Sequence, residues 1–339
     1  MSGEDGPHGP AANAASAQLV PLLLHSLAEF DWLILPALDA RGTKSILEIG
    51  SETGRFAAEL CEWAARHDAT ITTLDPVATA LHRELAADFG LRLIEGRSPA
   101  DLPDESFDAY IIDGDHNYWT VSAELAHAFT GQHEALVILH DVAWPFARRD
   151  MYYEPEAIPA EARHPFSYAH GASPYESGTV QGGWRGEGHF AIARHEGGPR
   201  NGVRTAIEDF LAARPELQFL CLPCVFGLGF VFPRDAAWAD GVRDLVAPMH
   251  EHPMLARLEA NRLELFLDLV REERSRLVDP ALAHARGEMA LLVTIPEEAA
   301  QLAGRSALRR QVASLQREVE ELRGELLARS LSSLNDTEP

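Results

Sequence analysis

Between Ser45 and Asp141 the chain places five short apolar runs, and stretches of helical periodicity separate most of them. The runs are SILEIG (Ser45 to Gly50), TITTLD (Thr70 to Asp75), LRLIEG (Leu91 to Gly96), FDAYIIDG (Phe107 to Gly114) and ALVILHD (Ala135 to Asp141). Among the intervening segments, GRFAAELCEWAARH repeats Phe56, Leu60, Trp63 and Ala64 at helical spacing, ATALHRELAADFG ends on Gly90, and TVSAELAHAFT follows the fourth run. Each run is almost continuously apolar, so it must be covered on both faces. Strands of that kind alternating with helices predict an α/β fold built on an open, mostly parallel sheet. Ligands of such sheets bind beyond the carboxyl ends of the strands, where this chain has Gly50, Asp75, Gly96, Asp113 and Asp141.

After Asp141 the rhythm stops over residues 142–202, far beyond an ordinary loop. Four of the six tyrosines lie there (Tyr152, Tyr153, Tyr168, Tyr175), with Trp144, Trp184 and glycines at 182, 183, 186, 188, 197 and 198. Aromatic rings on glycine-hinged backbone suit a substrate-binding flap, and a structured excursion over a sheet edge is the alternative. The sheet then resumes with a helix, GVRTAIEDFLAA, and two strands within LQFLCLPCVFGLGFVF, joined near Phe226 to Gly229.

The flanks read differently. Residues 1–17 are polar and rich in small residues, a disordered leader. The apolar stretch Leu19 to Leu38 is interrupted by Pro21, His25, Glu29, Asp31 and Pro36, which suits an amphipathic helix on a domain edge rather than a membrane span. The expected organisation is a domain over 18–235 with the insertion 142–202, a helical extension over 236–304, a short coiled coil or docked helix over 305–330, and a disordered tail over 331–339. Leu308, Val312, Leu315, Val319, Leu322 and Leu326 follow a heptad spacing, so residues 308–326 are the expected seam of a homodimer.

With 52 acidic and 29 basic side chains the formal charge is −23, which argues against nucleic acid as a partner, because neutralising phosphates takes clustered Lys and Arg. Three cysteines in 339 residues make no disulfide framework, and a cytoplasmic location is the expectation. Cys221-Leu-Pro-Cys224 lacks the second pair that a zinc site would need.

The first strand end reads Glu48-Ile-Gly50-Ser51-Glu-Thr-Gly54. A dinucleotide fingerprint has G-x-G-x-x-G, and its middle glycine is missing here. A nucleoside without a pyrophosphate fits better, with Asp75 placed to accept from ribose hydroxyls. On these residues the chain resembles the class I S-adenosylmethionine-dependent methyltransferases. IIDGDHNY, LHDV and GVRTAIEDF narrow the resemblance to the small-molecule group that includes macrocin O-methyltransferase and the cephalosporin hydroxylase-type proteins. The resemblance implies a Rossmann-like class I methyltransferase fold with a mostly parallel seven-stranded sheet. It also implies S-adenosyl-L-methionine as cofactor, with Glu48, Gly50, Ser51 and Gly54 on its methionine side, Asp75 on the ribose, Gly96, Arg97 and Ser98 near the adenine, and Asp113 closing the site. Arg97 departs from the acid that relatives often carry.

Methyl transfer to a hydroxyl requires alignment of the acceptor and removal of its proton, which points to His116, His140 and Asp141 as the catalytic candidates. In the metal-dependent catechol and caffeoyl-CoA methyltransferases the corresponding acids hold a divalent ion and a lysine is the base. By that resemblance Asp113 and Asp141 are candidate ligands for Mg2+, His116 takes the base position, and Val142 replaces the third ligand. The expected reaction is O-methylation of a small molecule such as a sugar or natural-product glycoside. A non-catalytic scaffold that dimerises and binds a partner or glycan, and an oxygenase on the same fold, are the alternatives.

Overall fold

The computed structural model describes residues 24–131, 134–186 and 188–285, with side chains described as far as Arg271. The leader, the heptad segment 308–326 and the tail lie outside these residues. The helix expected within Leu19 to Leu38 is found later in the chain, as α1 (Asp31–Arg41). It follows a short 3-10 turn at Leu27–Phe30 and is closed by Gly42 in the left-handed conformation.

The five runs form β1 (Ser45–Ile49), β2 (Thr70–Asp75), β3 (Arg92–Glu95), β4 (Ala109–Ile112) and β5 (Leu136–Leu139). Between them lie α2 (Arg55–His67), α3 (Ala80–Phe89) and α4 (Tyr118–Ala128). Local chemistry sets the helix ends: Thr79 and His82 form a reciprocal capping box at the start of α3, and the Asn117 side chain accepts from the Thr120 N–H at the start of α4. After the insertion come α5 (Val203–Ala212), β11 (Leu217–Leu222), β12 (Leu228–Pro233), α6 (Ala239–Val246) and the long α7 (Pro253–Ala285).

The seven strands are ordered β3-β2-β1-β4-β5-β12-β11, and β12 runs antiparallel to both neighbours. Strand residues alternate between two cores. Ile46, Ile71, Ile111, Ile138 and Phe230 pack under α1, α2 and α6, whereas Leu47, Leu74, Tyr110, Val137 and Val231 face α4 and α5. That period-2 alternation is why each strand must be apolar throughout. The chain reverses direction across the sheet between β1 and β4, and this crevice is where the site lies.

The insertion is a folded unit. It holds a three-stranded sheet ordered β6 (Met151–Tyr152), β10 (Ala191–Ala193), β7 (Phe166–Ser167) and a hairpin of β8 (Gly171–Ala172) with β9 (Thr179–Val180). Arg149 and Asp150 are fully buried in it: Arg149 donates to the carbonyls of Ala193 and Ser177, and Asp150 accepts from the N–H groups of Tyr118 and Gly202 and from the Tyr152 hydroxyl. Two of its glycines serve close approach rather than hinging. A Cβ on Gly171 would sit 2.3 Å from the Gly183 carbonyl carbon.

Among the described residues no helix is long and apolar enough to cross a membrane. Phe230, fully buried under α1 and α6, tests the layered packing: Phe230→Ala is expected to lower unfolding free energy by about 3–5 kcal/mol, measured by urea denaturation. A loss under about 1 kcal/mol would mean this core is not built as described.

Candidate active site

The glycine loop after β1 is locked onto the end of β4. Gly50 has φ +79°, and a Cβ there would lie 2.4 Å from the Asp113 carbonyl oxygen, so only glycine lets the two strand ends meet this closely. Asp75 serves the same loop. Its Oδ2 accepts from the N–H groups of Ser51 (2.9 Å) and Glu52 (3.1 Å), and its Oδ1 accepts from Val77 N–H (2.8 Å). These amides, which would form a phosphate cradle in a dinucleotide site, are turned inward onto a carboxylate. Only Oδ1 keeps acceptor capacity of the kind a ribose hydroxyl needs.

Behind the loop stands a residue that sequence reasoning missed. His82, fully buried on α3, accepts the Thr79 N–H at Nδ1 (3.0 Å), which leaves Nε2–H to donate to Ser51 Oγ (3.0 Å). Burial lowers its pKa, consistent with that neutral tautomer. Ser51 and Thr73 in turn hydrogen-bond Glu48, whose carboxyl is pushed up to about 7 by burial. A cationic group placed beside Glu48 would restore its charged form, which suits the ammonium and sulfonium end of S-adenosylmethionine. Glycine loop, Glu48 and Asp75 therefore fit that cofactor.

At the expected adenine end, Asp101 accepts the Arg97 N–H (2.8 Å), and it would lie 2.7 Å from a Cβ on Gly96. Arg97 pairs with Glu154 of the insertion, so the residue that departs from the family pattern ties the two parts together. Ser98 faces the buried Glu124 of α4, and its hydroxyl only partly satisfies the two carboxyl oxygens.

The chemistry-bearing cluster sits at the ends of β4 and β5. His116 Nε2 lies 3.1 Å from Asp141 Oδ2 and 3.9 Å from Asp113 Oδ1. His140 Nδ1 lies 3.1 Å from Asp113 Oδ1 and 3.3 Å from Asp141 Oδ2, while its Nε2 donates to the Val225 carbonyl at 2.9 Å. Burial alone would lower the His140 pKa, but Asp113 and Asp141 outweigh it and raise the pKa well above the ordinary value. Burial likewise works against the Asp141 anion, and His116 and His140 reverse that, leaving its pKa lowered. His140, expected among the catalytic groups, is thus a cation with both nitrogens engaged, placed to hold the acids rather than to take a proton. His116 stacks on Phe146 of the insertion, with ring centroids 5.7 Å apart.

Asp113, His116 and Asp141 each offer a donor atom within 4.8 Å of the others, and Asp141 Oδ1 is buried without a partner, an open ligand position. The set suits magnesium poorly. Mg2+ takes oxygen ligands, and here two imidazoles face the carboxylates, one of them a cation on the oxygens a metal would need. A softer divalent ion is better matched to such mixed donors.

The insertion roofs this cluster: Met151 N–H donates to the His116 carbonyl, Tyr153 N–H to Asp115 Oδ1, and the Tyr153 ring lies edge-on to Phe190. The Tyr153 hydroxyl is raised out of its ordinary range by burial and by Asp113, Asp141 and Asp115. By accessible surface, however, the residue is half-exposed, which places its ring at the rim of the cluster. Val225 and Phe226 have φ +48° and +62°, and left-handed backbone at non-glycine residues costs about 1–2 kcal/mol each. The sequence places the strand junction near Phe226 to Gly229, but no residue type marks the left-handed backbone at Val225 and Phe226.

Residues 47–142 match the family model described as "Methyltransferase domain". Over those residues the chain is similar to a methyltransferase domain. The matched segment runs from the middle of β1 to the residue after Asp141, so it contains the glycine loop, Asp75, Asp113, His116, His140 and Asp141. No curated protein matches the chain. Several solved structures do, at low similarity. One is described as a candidate caffeoyl-CoA O-methyltransferase from Staphylococcus aureus (17% identity, 60% of this chain and 83% of that one, TM-score 0.37). Others are the Podospora anserina methyltransferase PaMTH1 bound to S-adenosylhomocysteine (19%, 62% and 80%, 0.34) and a Bacillus cereus O-methyltransferase bound to the same product (17%, 63% and 85%, 0.33). Likeness at that level transfers no substrate to this chain.

Glu124 gives the domain a measurable pH signature. Burial, only partly offset by the Ser98 hydroxyl, pushes its carboxyl up to about 8 from 4.5. Between those values the folded state holds a proton that the unfolded state has lost, so stability falls as pH rises through the window. Glu124→Gln is therefore expected to gain stability relative to wild type on going from pH 5 to pH 8.5, by on the order of 2–3 kcal/mol. Urea unfolding at the two pH values measures it, and an equal wild-type-to-variant difference at both would contradict the assignment.

Proposed function

We propose that the chain transfers the methyl group of S-adenosyl-L-methionine to an oxygen of a small hydroxylated molecule, with His116 as the general base. The observation that carries this reading is the His116–Asp141 pair, 3.1 Å apart and buried beside the glycine loop in the crevice between β1 and β4. When bound, the cofactor supplies an electrophilic methyl on a sulfonium. The chain's own residues do the rest. Glu48 receives the positive end of the cofactor, Asp75 holds the glycine loop and offers Oδ1 to the ribose, and Gly96, Arg97 and Ser98 border the adenine.

Asp141 sets the His116 ring by accepting from Nε2–H, which leaves the lone pair on Nδ1 for the acceptor hydroxyl. Transfer of that methyl group to the acceptor oxygen would release the hydroxyl proton, and His116 would take it at Nδ1. His140 holds Asp113 and Asp141 together by standing between them and offsetting their mutual repulsion. For the acceptor we favour a sugar or natural-product glycoside. The aromatic faces of Tyr153 and Phe190 at the rim suit a sugar ring, and the carboxylates below suit its hydroxyls. The formal charge of −23 weighs against polyanionic acceptors. No step passes through a metal ion.

Isothermal titration with S-adenosylmethionine tests the cofactor. Micromolar binding is expected, at least tenfold weaker in Asp75→Ala because the loop amides lose their anchor; no heat with folded protein would sink the proposal. With an acceptor found by screening glycosides for S-adenosylhomocysteine release, His116→Ala should lower kcat about 100-fold at little cost in cofactor affinity. An unchanged kcat would move the base elsewhere. Turnover is expected to survive EDTA within about twofold, since His140 already offsets part of the acids' charge. Loss reversed by Mn2+ or Mg2+ would instead make Asp113 and Asp141 metal ligands.

A further inference from the structure

The catalytic cluster is braced from a part of the chain outside the matched domain. His140 Nε2 donates to the carbonyl of Val225, and the N–H of the same peptide unit, on Phe226, donates to Glu259 Oε1 of α7 at 2.9 Å. One peptide plane therefore has an imidazole at one end and a carboxylate at the other. It lies in the tight turn Cys224 to Gly227, closed by the Gly227 N–H on the Cys224 carbonyl (2.9 Å), whose two central residues are the left-handed Val225 and Phe226. Positive φ at both central positions is the pattern of a hairpin turn that ordinarily takes Asn and Gly. Valine and phenylalanine hold it only if their surroundings over-determine the conformation.

Those surroundings converge on Glu259. Its side chain is buried, and Arg262 grips it with Nε to Oε2 and Nη2 to Oε1, both at 2.7 Å. The same guanidinium lies over the Phe226 ring at 5.0 Å and donates to the Leu24 carbonyl. Phe226 packs with Leu263, Trp144, Trp184 and Phe266, and the Phe226 carbonyl accepts the Ala143 N–H at 2.7 Å, two residues past Asp141. A carboxylate accepting the amide N–H also polarises the peptide and strengthens its carbonyl as an acceptor.

We infer that Glu259 is a positioning residue for the catalytic cluster: through the Val225–Phe226 peptide it fixes the carbonyl that receives the His140 Nε2 proton, and so sets where Asp113 and Asp141 are held. The helical extension thereby completes the site. The consequence for turnover rests on the function proposed above, but the bracing itself does not.

The test is proton NMR of imidazole N–H groups in 15N-histidine-labelled full-length protein. Wild type is expected to show a slowly exchanging downfield resonance that His140→Asn removes. Glu259→Gln keeps an oxygen acceptor for the Phe226 N–H and should retain the resonance with exchange within about threefold of wild type. Glu259→Ala should speed its exchange at least tenfold while still binding S-adenosylhomocysteine by calorimetry. Should Glu259→Ala fail to melt cooperatively, Glu259→Asp, one methylene shorter, takes its place with the same expected direction. An unchanged resonance in Glu259→Ala or Glu259→Asp, or a glutamine variant as damaged as the alanine one, would overturn the inference. No acceptor enters the measurement, so a protein that shows this coupling and transfers no methyl group would overturn the proposed function alone.

Discussion

Everything in the site depends on one proton held between two carboxylates. Asp113 and Asp141 converge on Nδ1 of His140, and bringing two anions this close in a partly dry crevice would cost several kcal/mol without a compensating cation. The imidazole can carry that charge only because its other nitrogen is satisfied by the Val225 carbonyl. The strained turn is thus the counterpart of the charge cluster: backbone energy spent at Val225 and Phe226 places an acceptor where the imidazolium needs one.

The insertion contributes as a folded unit. A loop of some 60 residues would ordinarily be too mobile to roof a site that needs sub-ångström placement. Here a salt-bridged Arg149 and a fully hydrogen-bonded Asp150, both completely buried, give the insertion its own small polar core, and Asn201 closes it by accepting the Asp150 N–H and donating to the His195 and Gly197 carbonyls. From that core, Met151 and Tyr153 hydrogen-bond the β4 loop on either side of the cluster, and Phe146 lays its ring along His116. The glycine pair Gly171 and Gly183 brings two backbones into contact within the same unit. Along the chain this segment reads as a flap or as a structured excursion; in the structure it is a folded unit with its own small sheets.

How much of this was legible beforehand follows from the range of the interactions. The β1 to β5 runs announce themselves because a strand buried on both faces must be apolar at every position, and Gly50, Asp75, Asp113 and Asp141 stand at their ends for the same reason. The insertion strands are two or three residues long, too short to show any period, so their pairing was invisible. Asp75 was recognised as a working acid, but its service to the Ser51 and Glu52 amides depends on a loop path that spacing does not encode. His82 was hidden because its partner Ser51 lies 31 residues away, and Glu259 because the group it binds is a backbone amide, which no residue type advertises.

His140 also decides what kind of chemistry the cluster favours. With its Nδ1 proton between Asp113 and Asp141, His140 offsets part of their charge. In the proposed reaction His116 gains a proton as the acceptor loses one, so positive charge develops beside the two carboxylates at the moment of transfer. The electrostatic energy of the cluster falls as the reaction proceeds, because the new imidazolium lies 3.1 Å from Asp141 in a place water scarcely reaches. Replacing His140 by a neutral residue would leave two uncompensated carboxylates and make the resting state unstable. A third carboxylate there would call for a metal ion to do what the imidazolium does. The histidine is therefore the residue that lets two acids serve as a proton-transfer site while remaining affordable to bury.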